Sequence, residues 1–294
     1  MDVDMQAASA AVGRLAADAG LSPEQTAWGI HDIANEAMAG AARVHIAERG
    51  KDPRKYALLA TGGGGPLHAY HVAQKLGCRR IIVPPAAGVA SAVGLLIAPA
   101  RVDRVATVAV ELDMLDWSVF EARFAALEAE ARTLIAGTGL DPALSQVERL
   151  ADIRYVGQAF EVVVSLPPGP YNAKSKPALI AAFEAAYIEK FTRTPPAVPV
   201  EIINIRTAVS AEVPGERPTS AVTATGEPKP NARRSLYFPE ASGFVETPVF
   251  DRADLPAGYA FQGPAVIEEA ASTLIVGPSG RARVAADGNI VVDL

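Results

Sequence analysis

YALLATGGGGPLHAYHVAQKLGCRRIIVPP, from Tyr56 to Pro85, decides how the chain begins to fold. An apolar run, Tyr56 to Ala60, ends at the consecutive glycines Gly62, Gly63, Gly64 and Gly65, and Pro66 then suits the first position of a helix, where a missing N–H costs nothing. Ile81, Ile82 and Val83 make a second short apolar run. The spacing predicts strand, tight turn, helix, strand, with the two strands parallel and joined by one right-handed helical crossover. Glycines serve such a loop because backbone without side chains takes positive φ and lies flat against a ligand, while the helix start behind it offers unpaired N–H groups. Taken alone, a glycine-rich turn after a strand fits either nucleotide contact or close packing.

Composition narrows the function classes. Of the 294 residues half are apolar and a fifth charged, enough for one large core or two smaller ones. The 33 acidic residues outnumber 27 basic ones, and no dense basic cluster is present to follow a phosphate backbone, which argues against nucleic acid. No apolar run reaches the roughly 20 residues that span a bilayer. Met1 is followed by acidic Asp2 and Asp4 rather than a basic leader, so the expected location is the cytoplasm, without a membrane partner. Cys78 is the only cysteine, which excludes an internal disulfide and a multi-cysteine zinc site; beside Gly77, at a helix end, it reads as small buried filler rather than a nucleophile.

Upstream of the glycines, Met5 to Ala17 has helical spacing. Ser22-Pro23-Glu24-Gln25 opens the clearest helix: Ser22 caps, Pro23 fits the first turn and Gln25 completes a capping box. Ile30, Ile33, Ala34, Ala37, Met38, Ala41 and Val44 follow at intervals of three or four, predicting an apolar face packed on the sheet, with Gly50 as the stop. His31 and His45 lie on this helix without a second ligand at i+4 and read as solvated or hydrogen-bonded histidines, outside any site. His68 and His71, three apart behind the glycines, can share a helix face.

Downstream, Val105 to Leu112 alternates like a strand, and Trp117 to Ala136 repeats Phe120, Phe124, Leu127, Ala131 and Ile135 at helical spacing. Val147 to Tyr155 and Gln158 to Leu166 are strand-like around Gly157, Lys176 to Phe191 is an amphipathic helix, and Val198 to Val209 is β-rich. Residues 214–231 are dense in Pro, Gly, Thr and Ser and read as a linker or long loop. The rest is strand and turn, with Asp287-Gly288 a strong hairpin signal between Ala282-Arg283-Val284 and Ile290-Val291-Val292.

With these elements in place, longer stretches become comparable. Ala60-Thr61-Gly62-Gly63-Gly64-Gly65-Pro66-Leu67-His68-Ala69, followed by Val83-Pro84-Pro85-Ala86-Ala87-Gly88-Val89-Ala90-Ser91-Ala92-Val93-Gly94-Leu95-Leu96, resembles the hydantoinase A/5-oxoprolinase family, whose pattern is approximately FGGAGPLHA and then VPxxPGxxSAxGLL. Ala34 to Met38 and Glu48 to Arg54 match the helix and turn before the glycines, Asp152 to Glu161 resembles RYxGQxxE, the run around Glu201 and Arg206 resembles VEIxNxR, and Gly263 to Glu269 resembles GPAIIEE. Thr61 stands for the family's aromatic residue and Gly64 for its alanine, departures that bear on affinity more than on fold.

The resemblance implies an α/β fold: half of an actin-like, sugar-kinase-like ATPase lobe at 1–104, an α+β segment at 105–213, the linker at 214–231 and a β-rich C-terminal region at 232–294. It implies ATP as cofactor, with Gly62, Gly63, Gly64, Gly65 and His68 on the adenosine side and magnesium held mainly by residues outside this chain. The family's upstream half carries two phosphate motifs, each an Asp followed by Gly and Thr, and no D-x-G-[GT]-T occurs here. The implied partners are therefore a chain carrying that N-terminal ATPase half and a hydantoinase B-type subunit, with a small cyclic amide as substrate and no catalytic residue assigned in this chain. Three functions stay open: a subunit or truncated chain of an ATP-dependent cyclic-amide hydrolase, contributing the adenosine side of its ATP site, a component of an ATP-dependent ketone carboxylase, or a binding and scaffold module without catalysis.

Three details are open to a structural reading beside a functional one. Ser91 and Gly94 most simply permit close helix-to-sheet approach. Asp152, Arg154 and Glu161 form either a carboxylate-binding constellation or an ion-pair network along the strand. Glu268 and Glu269 are adjacent, so on a strand they face opposite ways and cannot act as a close carboxylate pair.

Overall fold

The computed structural model describes residues 3–195, 198–214 and 222–294. It divides into two compact units, one formed by Met1–Leu96 with Arg217–Leu294 and the other by Ile97–Glu216. The first unit begins with helices α1 (Met5–Ala19) and α2 (Pro23–Ala47), strand β1 (Leu58–Leu59), helix α3 (Gly65–Leu76), strand β2 (Arg80–Val83) and helix α4 (Ala90–Ile97). Strand β3 (Ala100–Glu111), helix α5 (Trp117–Gly137), strands β4 (Gln146–Tyr155) and β5 (Val162–Ser165), helix α6 (Lys176–Phe191) and strand β6 (Val200–Ala211) build the second. The chain then returns to the first with β7 (Ala232–Phe238), β8 (Gly243–Asp251), β9 (Ala260–Gln262), β10 (Ala265–Glu269), β11 (Ser272–Val276), β12 (Arg281–Val284) and β13 (Ile290–Asp293).

In the first unit β1 and β2 are parallel neighbours, Leu58 opposite Ile81 and Leu59 opposite Ile82, with α3 as the connection between them. The expected helix start is displaced by one residue: Gly64 is the cap and Pro66 falls in the first turn behind Gly65. Only two residues of β1 pair, so the sheet is completed from the far end of the chain, in the order β1-β2-β13-β12-β9. Antiparallel β13 sets Ile290 opposite Val83 and Val292 opposite Ile81, and the β12–β13 hairpin turns at Asp287-Gly288, with Gly288 at φ 79°. A second sheet, β11-β10-β8-β7, shares the same core, in which Tyr70, Ile81, Val276, Ile290 and Val292 are buried. Residues 222–231 form neither helix nor strand, and 215–221 of the expected linker lie outside the described residues.

The helices stack outward, α3 on β2 and β11, α2 on α3 and α1 on α2. This corrects the expectation that α2 lies on the sheet with its large apolar residues inward. Ile33 is 73% and Val44 60% exposed, and α2 instead buries Asn35 and Ala39, on roughly the opposite side at 3.6 residues per turn. Small side chains allow the helix axes to approach, whereas an Ile-lined face would hold them apart. The capping box forms as read: Ser22 Oγ accepts from Gln25 N–H at 3.2 Å and Gln25 Oε1 from Ser22 N–H at 3.0 Å. Ser22→Ala is expected to lower stability by about 1 kcal/mol, measurable as a shifted urea midpoint of Trp28 fluorescence.

Helix α4 also departs from expectation. None of its residues is buried, and a Cβ added at Gly94 would meet nothing within 4 Å, so its small residues serve no close helix-to-sheet contact in this unit. No helix among the described residues is long and apolar enough to cross a membrane.

The second unit is an antiparallel sheet, β3-β6-β4-β5, with α5 and α6 over a core of Phe120, Phe124, Phe183, Ile153, Ile202 and Ile205. Asp152 and Arg154 are both ion-paired, but with partners across strands rather than with each other or with Glu161, which corrects the along-strand network expected. Arg206 donates to both oxygens of Asp152 at 2.8 Å, Asn204 Nδ2 donates to Asp152 Oδ2 at 2.8 Å, and Arg154 Nε donates to Glu201 at 2.8 Å. Directly opposed residues such as Arg154 and Glu201 lie closer than residues two apart on one strand. Burial alone would raise the Asp152 pKa; the bonds from Arg206 and Asn204 outweigh it and hold the carboxyl below its usual range.

Candidate functional site

The glycine run lies at the surface where β1 ends. Gly62 takes φ 87°, a conformation that favours glycine, and its N–H donates to Ala87 O at 2.7 Å. Gly62, Gly63 and Gly64 are exposed, and a side chain at Gly64 or Gly65 would enter open space. Helix α3 begins immediately behind, with no side-chain cap at Gly64 and with Pro66, which has no N–H, in its first turn, so Gly65 and Leu67 turn N–H groups without a capping side chain toward the loop. A flat base or an anion can therefore reach bare backbone here.

What holds this loop comes from residues distant in sequence. The facing segment 84–88 is pinned by Glu269, whose Oε1 accepts from Ala86 N–H at 2.8 Å and whose Oε2 accepts from Ser272 Oγ at 3.0 Å. Arg252 is nearly buried, lies 3.7 Å from Glu269, and donates to Val83 O at 2.9 Å and Gly288 O at 2.7 Å. Burial works against the Arg252 charge and Glu269 opposes that effect. Glu268 points elsewhere, to Arg234 at 2.8 Å, as expected for neighbours on a strand. Of the two glutamates Glu269 supports the loop, through a hydrogen bond to Ala86, 183 residues away, that no local pattern announces.

Three of the four histidines, His31, His68 and His71, form one cluster, while His45 is exposed against Arg49. His68 Nδ1 lies 2.8 Å from Asn35 Oδ1, and the His31 ring stacks on His68 with centroids 4.6 Å apart and planes 15° apart. His71 meets Trp28 edge-on at 4.8 Å, and its Nε2 is 3.5 Å from Glu240 Oε1. Burial, reinforced by the neighbouring His68 and His71, lowers the His31 pKa; burial also lowers that of His71, against the pull of Glu240. His31, read from sequence as lying outside any site, thus touches the histidine beside the glycine run. The signal was present only as its spacing from Asn35, four residues on along α2, which puts both on one face.

A cavity of about 610 Å³ opens beyond His71, lined by Trp28, His31, Leu67, Tyr237 and Phe244 among others, and no residue of the glycine run lines it. Its walls are apolar, with Glu24 and no Lys or Arg, so they do not suit a polyphosphate. Cys78 is buried, donates to Pro53 O at 3.4 Å and has its pKa raised by burial, which leaves it inert. Among the described residues no group of three or more His, Cys, Asp or Glu side chains could hold a metal ion. The glycine run thus offers bare backbone and a helix start without a side-chain cap to a flat or anionic ligand, with no metal-holding group among the described residues.

Sequence and structure comparisons agree on family and fold. The family profile described as Hydantoinase/oxoprolinase matches residues 1–104, and that of the Hydantoinase/oxoprolinase C-terminal domain matches residues 114–293. Caprolactamase subunit alpha from Pseudomonas jessenii is 29% identical over 95% of this chain and 41% of its own length, and 5-oxoprolinase from Dictyostelium discoideum is 26% identical over 92% of this chain and 21% of its own. The crystal structure of the ATP-dependent caprolactamase superposes with a TM-score of 0.77 at 28% identity, covering 99% of this chain and 43% of that one. Nucleotide-free acetone carboxylase gives 0.76 at 20% identity with the same coverage, a likeness of fold alone. The chain spans less than half the length of each of these relatives. With profiles matching from the first helix to the last strand, and the mixed α/β architecture shared with solved relatives, this chain belongs to the hydantoinase/oxoprolinase family.

Proposed function

We propose that this chain supplies the adenosine side of the ATP site in an ATP-dependent cyclic-amide hydrolase, with Gly62, Gly63, Gly64, Gly65 and His68 against the nucleoside. One observation carries the reading: the glycine run is bare, exposed backbone at the uncapped start of α3. ATP, when bound, would transfer its γ-phosphoryl group to the ring-carbonyl oxygen with release of ADP, so that water could add to the carbonyl carbon, the ring C–N bond break and a second water release the phosphate. The residues of this chain bind and orient the nucleoside, and the phosphates and any magnesium fall to residues outside this sequence, on whichever segment or chain carries the Asp-Gly-Thr motifs. A hydantoinase B-type subunit would complete the assembly. Exposed apolar residues on α2 and α4, such as Ile33 and Leu95, support a chain that works within a larger complex. The likeness to the acetophenone carboxylase gamma subunit of Aromatoleum aromaticum, 25% identical over 95% of this chain, supports a second reading, the same carbonyl activation applied to a ketone, which a substrate assay separates from the first.

Calorimetry with ATP, on the chain alone and with the partner carrying the phosphate motifs, tests the site. Heat in at least one case is expected, and no heat in either would leave a scaffold module. Gly64→Val should keep the fold, since its side chain meets nothing within 4 Å at Cβ, yet weaken ATP binding by roughly tenfold, about 1.4 kcal/mol. Unchanged affinity in that variant would move the nucleotide away from the loop.

A further inference from the structure

Asn35 is fully buried on α2, and its Nδ2 has no hydrogen-bond partner among the described residues. A buried amide with an unbonded donor costs stability, and a leucine of similar size would pack without that cost. Its other end explains the choice. Asn35 Oδ1 can only accept, so the 2.8 Å contact requires His68 Nδ1 to carry the proton. In the neutral ring the remaining nitrogen, Nε2, is then an acceptor, and it makes no hydrogen bond among the described residues. His31, one turn before Asn35 on the same face of α2, stacks on the ring and fixes its plane.

We infer that Asn35 is a positioning residue that holds His68 in the Nδ1–H tautomer, so that Nε2 accepts a hydrogen bond from a hydroxyl or amino group of the nucleoside rather than donating to a phosphate oxygen. The inference deepens the proposed ATP reading and rests on it for the ligand. The donors that adenosine offers are the ribose hydroxyls and the adenine amino group; its phosphates offer none. The glycine backbone supplies N–H groups, and His68 supplies the complementary acceptor, which makes the site selective for the nucleoside and not only for its charge.

Two measurements on the full chain test it separately. In the ¹⁵N-histidine-labelled protein at about pH 8.5, some two units above the ordinary histidine value, His68, assigned by its loss in His68→Gln, is expected to show a protonated Nδ1 and a bare Nε2. Asn35→Asp, whose oxygens both accept, keeps that tautomer; Asn35→Leu shifts it toward Nε2–H. An Nε2–H tautomer in the parent, or no change in Asn35→Leu, overturns the role of Asn35 whether or not ATP binds. In the second, ATP, its 2′-deoxy and 3′-deoxy analogues and the triphosphate lacking the 6-amino group are titrated, with the partner where it is needed. At least one analogue should bind the parent about fivefold more weakly than ATP, the size of one lost neutral hydrogen bond, and bind His68→Phe no more weakly than ATP does. Equal affinities of all four for the parent overturn the nucleoside assignment. Failure of ATP itself to bind removes the site reading, leaving the tautomer measurement to decide Asn35.

Discussion

Gly88→Ala is expected to melt well below the parent chain and to lose ATP binding with it. A Cβ at position 88 would lie 2.0 Å from Ala271 O and 2.5 Å from Ala271 C, a backbone group that no rotamer change can move aside. The segment must shift, and overpacking of this kind costs about 3 kcal/mol or more, roughly 6–12 °C for a unit of this size. The damage reaches the site because Ala87, next to it, accepts the Gly62 N–H, while Ala86 is tied to Glu269. The control is six residues away. Gly94→Ala meets nothing within 4 Å inside α4, and removing a helical glycine there should add up to about 1 kcal/mol. Trp28 reports the first unit and Trp117 the second, so Trp117→Phe backgrounds isolate the relevant transition. Equal melting of both variants and the parent would mean that the 86–88 segment does not lie under Ala271.

The second large effect belongs to the other unit. Arg206→Met leaves the fully buried Asp152 carboxylate with Asn204 alone, after the loss of two charged hydrogen bonds. Breaking one side of a buried pair costs about 3–5 kcal/mol. The Arg206 side chain is 42% exposed, so solvent screening places the loss nearer 2–3 kcal/mol at neutral pH. The pH dependence carries the cause. In the parent the folded Asp152 pKa is depressed, so the pair's contribution is fully present above the unfolded value of about 3.9 and fades as pH falls through the lower folded value. In the variant the buried carboxylate is relieved by protonation as the pH drops. The stability gap in urea melts of Trp117 fluorescence, in a Trp28→Phe background, should therefore be full at pH 7 and narrow in acid. A gap independent of pH would assign the loss to packing.

Local pattern made much of this legible. Positions 22–25 contain a complete capping box, 281–293 a hairpin around Asp287-Gly288, and 56–85 a strand, a glycine turn and a helix; each depends on interactions within a few residues, which sequence spacing encodes directly. The charged β4 and β6 segments were visible as motifs, but not which residue pairs with which, because cross-strand partners are set by register. On α2 the helical period was right and the buried side was not, since periodicity shows that a face is apolar without showing which neighbour covers it.

Family, order of elements and the bare glycine loop were thus readable from the residues in line. What supports that loop emerges in three dimensions: Glu269 on Ala86, Ala271 over Gly88, β13 beside β2, and Asn35 behind His68. The reason is physical. A turn is specified by the backbone freedom of the residues in it, whereas a support is specified by whichever distant group packing brings within hydrogen-bond reach.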